Sequence, residues 1–199
     1  SDMPSLKEIE YYLRGIVLLI QGKPQGFGYL DLTDRGMIRS FWAMVWCFPA
    51  TAISWVWWQT AFLRAYPPGT KTGLPFFLRL AMVEIANWIV PLVLAGLLCL
   101  ALRLGRRFLA IVVVSNWLAV PLSYLYALIV LIVMFVPGAA GIASLLWLAL
   151  ILLLIFSLIR LLRMICGQQP LIIATLVLLL LVPSMFLSDY LQQYLGVYP

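Results

Sequence analysis

The sequence predicts an all-α protein: a polytopic integral membrane helix bundle of five transmembrane helices, with an N-terminal amphipathic interfacial helix ahead of them. Three observations carry this prediction. Apolar residues fill 65% of the 199 positions and charged residues 10%, against roughly half and a quarter in a soluble domain. The mean hydropathy is +1.08. The apolar residues are gathered into runs of about 20, the length that a hydrocarbon core of roughly 30 Å requires. Peptide groups find no water there, so each run is expected to be helical.

Length predicts one domain, divided into a cytoplasmic N-terminal segment (1–39), a five-helix membrane domain (40–188) and a short exterior tail (189–199). Ser1-Asp2 ahead of Met3 reads as an expression scar, and no cleavable signal peptide is expected, because the first apolar stretch is amphipathic and lacks a small-residue cleavage site. Ser5 with Glu8 three residues on is a capping box that opens a helix. Leu6, Ile9, Leu13, Ile16, Val17 and Ile20 then share a helical face, away from Lys7, Glu10 and Arg14. About 15 residues span roughly 22 Å, short for a bilayer. The helix is expected to lie in the cytoplasmic interface, or else against the bundle. Gly22, Pro24, Gly26 and Gly28 end it in a turn-rich linker. Asp34 is a candidate N-cap for the chain entering the membrane.

The first span covers about residues 40–63, with Trp42 and Trp46 near one end and Trp55, Trp57 and Trp58 near the other, as interfacial belts place them. Pro67-Pro68-Gly69 closes it. The second and third spans, about 76–102 and 108–136, are separated by Arg103, Arg106 and Arg107. Pro137-Gly138 turns the chain into the fourth, about 141–163, and the fifth runs about 171–188. Tyr190, Tyr194 and Tyr198 would anchor the end of the last span. Ten basic residues fall on the N-terminal side of this arrangement and three (Arg64, Lys71 and Arg79) on the other. That asymmetry puts the N-terminus in the cytoplasm and the C-terminus outside. Arg103, Arg106, Arg107, Arg160 and Arg163 are then expected to contact anionic lipid headgroups. Because the basic residues punctuate apolar runs, the net charge of +6 points to membrane lipid and away from nucleic acid.

Glu84 is the one acidic residue well inside a span, a costly placement that marks a candidate site. Asn87 and Pro91 share its helical face. Counting the rise per residue from each span's midpoint puts Glu84 about 7 Å outside the bilayer centre. Tyr124, Tyr126, Ser54 and Ser184 fall about 3 to 6 Å out on the same side, and Asn116 about 9 Å on the other. A polar cluster of Glu84, Asn87, Tyr124, Tyr126, Ser54 and Ser184 is therefore the candidate substrate site. The bland alternative makes Glu84 structural glue, hydrogen-bonded between helices. Pro49, Pro91 and Pro121 lie within about 3 Å of one depth, where they would bend helices around a cavity or simply be tolerated.

Enzyme signatures are absent. The chain has no histidine, no H-E-x-x-H, no G-x-S-x-G and no phosphate-binding loop. No two carboxylates share a predicted depth. Cys47, Cys99 and Cys166 are too far apart for a metal spacing, so neither cofactor nor metal is expected.

Asp31-Leu32-Thr33-Asp34-Arg35-Gly36 lies just ahead of the first span, where the Yip1 family often carries an Asp-Leu-x-Gly-Pro element. Two extra residues intervene here and no proline follows Gly36. Over about residues 30–195, five spans after a cytoplasmic segment and a short exterior tail also resemble that family. The resemblance implies a non-catalytic protein that organises membrane or partner proteins. The alternative drawn from the residues is a small-solute or ion/proton-coupled transporter with its polar site around Glu84. Five spans are few for one transport pathway, so this alternative calls for a homodimer.

Overall fold

The computed structural model describes residues 2–199, and every regular element among them is helical. The first helix, α1 (Leu6–Ile20), starts on the expected capping box: Ser5 N–H donates to Glu8 Oε2 at 2.7 Å, and Glu8 N–H donates to Ser5 Oγ at 3.3 Å. Its buried stripe is Ile9, Tyr12, Ile16 and Leu19, while Leu6 and Val17 are exposed. The stripe is thus rotated from the predicted face toward Tyr12, whose ring lies 5.0 Å from that of Trp117. That face is turned toward the bundle. A short 3₁₀ helix, Pro24–Tyr29, folds back along α1. It fits because two glycines meet: a Cβ added at Gly15 would lie 2.6 Å from Tyr29 Cβ and 2.8 Å from the Gly26 carbonyl oxygen.

A second short helix, α2 (Asp34–Ser40), corrects the predicted cap by one residue. Thr33 is the N-cap, its Oγ1 accepting from Gly36 N–H at 3.1 Å, and Asp31 Oδ1 accepts from the Thr33 hydroxyl at 2.6 Å. Asp34 is the first residue inside the helix, where its charge still faces the helix N-terminus. Arg39 reaches back to Glu8 at 3.2 Å and ties α2 to α1.

Five long helices follow: α3 (Ala43–Ala65), α4 (Leu74–Ala101), α5 (Gly105–Phe135), α6 (Ala140–Cys166) and α7 (Pro170–Tyr194). Helices α4 to α7 are long and apolar enough to cross a membrane, and their large exposed side chains, Leu100, Leu145 and Phe186 among them, suit lipid as solvent. Helix α3 has 23 residues and is less apolar, interrupted by Thr, Ser, Gln59 and four tryptophans. Pro49, Pro91, Pro121 and Pro183 all lie within continuous helices. The tight turns use Gly138 (φ 73°) and Gly167 (φ 75°), a left-handed conformation that costs glycine little.

The bundle has two distinct ends. At the α1 end, Ala95, Cys99, Ile111, Leu162, Cys166 and Leu176 join α4 to α7 in one buried cluster. At the other, Phe62, Phe76 and Leu80 close over Val197. Helix α7 continues beyond the predicted end of the fifth span, to Tyr194. The last residues are docked under α3 and α4: Trp58 Nε1 donates to the Val197 carbonyl at 2.8 Å, the Tyr66 hydroxyl to that of Tyr198 at 3.1 Å, and Arg79 Nη1 to that of Leu195 at 3.1 Å. These bonds fix the C-cap, Leu195, and the residues after it against α3 and α4.

Candidate functional site

Glu84 sits on α4 ten residues from its first, about 15 Å along the helix from the tail end. Its side chain lines three cavities. The first, about 440 Å³, opens toward the tail end between α3, α4, α5 and α7. The second, about 220 Å³, lies toward the α1 end and is walled by Pro91, Leu92, Leu118 and Leu158. The third, about 330 Å³, is a lateral groove between α3 and α4 beside Phe48 and Trp55. Among the described residues no hydrogen-bond or ion-pair partner reaches the Glu84 carboxyl. Asn87, one helical turn on, lines the first two cavities with it, and its buried Oδ1 also lacks a partner.

The structure brings Glu84, Asn87, Tyr126 and Ser54 together at the 440 Å³ cavity. It separates Tyr124, whose hydroxyl donates to the Trp46 carbonyl at 2.7 Å and which lines a groove beneath α1. Positions two apart on a helix differ by about 200°, and here Tyr124 and Tyr126 line different cavities. Ser184 is also outside: its hydroxyl donates to the Leu181 carbonyl at 2.9 Å, and it lines none of the three cavities. Asn116, placed by depth on the far side, lines the smaller cavity near Glu84. Its amide is engaged at both ends, accepting from Trp88 Nε1 at 2.8 Å and donating to Ser40 Oγ at 2.8 Å.

Missed from sequence were Asp189 and Gln192 of α7 and the tryptophans Trp55, Trp57 and Trp58 of α3, all lining the 440 Å³ cavity. The spacing of Asp189 and Gln192, three residues apart, is the signal that would have found them, once α7 is extended past residue 188. A cavity spans a range of depths, so Glu84 and Asp189 share one without sharing a level.

Of the five arginines expected at headgroups, Arg103, Arg106 and Arg163 are exposed at the α1 end. Arg107 and Arg160 are half-buried and turn to helix C-termini instead. Arg107 Nη1 donates to the Cys166 carbonyl at 3.3 Å, and Arg160 Nη1 to that of Ile20 at 2.8 Å. Carbonyls at a helix C-terminus carry partial negative charge and compete for such cations. No group of three His, Cys, Asp or Glu able to hold a metal occurs among the described residues. No protein-family model, curated protein or solved structure matches the chain.

Proposed function

We propose that this chain is a small-solute transporter or channel whose binding site is centred on Glu84 and Asn87. The observation that carries it is Glu84, which lines three cavities and whose carboxyl meets no hydrogen-bond or ion-pair partner among the described residues. A glue residue would be hydrogen-bonded to the next helix, because leaving a polar group unpaired in a low-dielectric interior is costly. A group left open beside a cavity of this size is instead available to a ligand. The organising role drawn from α1 has less support, since Ile9, Tyr12, Ile16 and Leu19 of its apolar face are already buried.

In this reading α3 is a fifth span, the ten basic residues lie at a cytoplasmic α1 end, and α1 rests there at the interface. Arg103, Arg106 and Arg163 meet anionic headgroups. The functional unit is a homodimer, which chemical cross-linking in the membrane would capture. Flux of a solute panel into liposomes tests the function. Wild-type protein is expected to pass at least one solute, and Glu84→Gln to abolish that flux while keeping its helical content. A wild type that passes none, or a Glu84→Gln variant as active as the wild type, overturns the proposal.

A further inference from the structure

We infer that the 440 Å³ cavity recognises an organic cation, its ammonium head held between Glu84, Asp189 and the indoles of α3. This rests on the Glu84 site proposed above and names its ligand class.

The distribution of charge comes first. The chain has seven acidic residues, and five of them (Asp2, Glu8, Glu10, Asp31 and Asp34) precede α3. The two that remain, Glu84 and Asp189, come from different helices and line the same cavity. No lysine or arginine lines it. Arg79, the basic residue of α4 nearest in sequence to Glu84, is turned to the tail, where it donates to the Leu195 carbonyl. In a protein of net charge +6, this is a pocket lined by two acidic residues and by no basic one among the described residues. An anionic ligand would be repelled, and a neutral one would leave the half-buried Glu84 carboxyl without a compensating charge.

The rest of the lining narrows the kind of cation. Trp55, Trp57 and Trp58 of α3 and Tyr126 of α5 contribute aromatic surface to the wall. Aromatic faces attract ammonium groups, and cages of them are a recurring way to bind quaternary nitrogen. A hard metal ion wants a shell of oxygens, and no cluster of three metal-ligating side chains occurs among the described residues. The volume suits a small organic molecule. Asp189 is exposed, so its carboxylate stands where an incoming cation would meet it first.

The test uses the full chain in lipid nanodiscs, titrated with choline, tetraethylammonium and a primary alkylamine, followed by calorimetry and by quenching of indole fluorescence. The uncharged tert-butyl isostere of choline and glucose serve as neutral probes. At least one cation is expected to bind ~10-fold or more tightly than the neutral probes. Glu84→Gln and, independently, Asp189→Asn are expected to weaken it by a similar factor. Asp189→Asn, at an exposed position, keeps the test valid should Glu84→Gln fail to fold. Neutral probes binding as tightly as the cations, or cation binding indifferent to both substitutions, overturns the cation assignment and leaves a solute site standing. No binding by any probe, together with no flux across the wider panel, overturns both.

Discussion

Asn116 joins three helices through one side chain, accepting from Trp88 of α4 and donating to Ser40 of α2 while itself on α5. Replacing it with leucine removes two interhelical bonds, each worth on average ~0.6 kcal/mol in a membrane protein, and strands the Trp88 indole N–H, while the Ser40 hydroxyl keeps its bond to the Met37 carbonyl. An unsatisfied buried group costs roughly 1–3 kcal/mol. Asn116→Leu is therefore expected to destabilise the bundle by about 1–3 kcal/mol, read as a lower thermal midpoint in detergent. An unchanged midpoint would show that these two bonds do not hold the bundle together. At this scale the sequence was legible wherever helical angle entered the argument. Glu84 and Asn87, three residues apart, do line the same cavities. Depth carries no angle: of the residues it grouped with Glu84, Ser54 and Tyr126 line the 440 Å³ cavity and Tyr124 and Ser184 do not.

Among the elements, α1 was the most readable, since a capping box is a local chemical device that needs nothing from the rest of the fold. Glu8 has a second role that sequence spacing could not reveal, its ion pair with Arg39 across 31 residues. The backbone N–H of Ser5, first, and then the Arg39 side chain hold the Glu8 carboxyl below its ordinary value of 4.5. A carboxylate depressed on folding stabilises the folded segment above its unfolded pKa, and the effect fades as pH falls through the folded value. Amide exchange in α1 is therefore expected to quicken on acidification below about pH 4.5 in the wild type. In Glu8→Gln it is expected to be faster at neutral pH and flat over that range. Equal acid sensitivity in both proteins would assign the effect to another group. The packing of the linker on α1 was less readable, because glycines 11 residues apart in sequence announce turns without saying that they will touch. Gly15→Val should free Pro24–Tyr29 from α1, which limited proteolysis of the linker would register.

For the molecule as a whole, the helical class and the positions of the long helices follow from composition and punctuation, because lipid leaves the backbone no alternative. The tail was not legible: its docking depends on where Trp58, Tyr66 and Arg79 stand relative to α7, a tertiary relation with no local signature. The number of crossings turns on α3, the least apolar of the long helices. At 23 residues it measures about 35 Å, enough for a core of roughly 30 Å. It also reaches both ends of the bundle. Ala43 and Cys47 are buried in the cluster with Trp117 near α1, and Phe62 packs on Phe76 and Val197 at the tail end. If α4 to α7 cross the membrane, α3, which runs between the same two ends, is long enough to cross beside them. Four spans would put the chain ends on one face, and five put them on opposite faces. Reporters ahead of Met3 and, on a flexible linker, beyond Pro199 are expected to score on opposite sides, with the N-terminal one in the cytoplasm. Both reporters on one side would remove α3 from the membrane. It would also take away the indole wall on which the cation site depends.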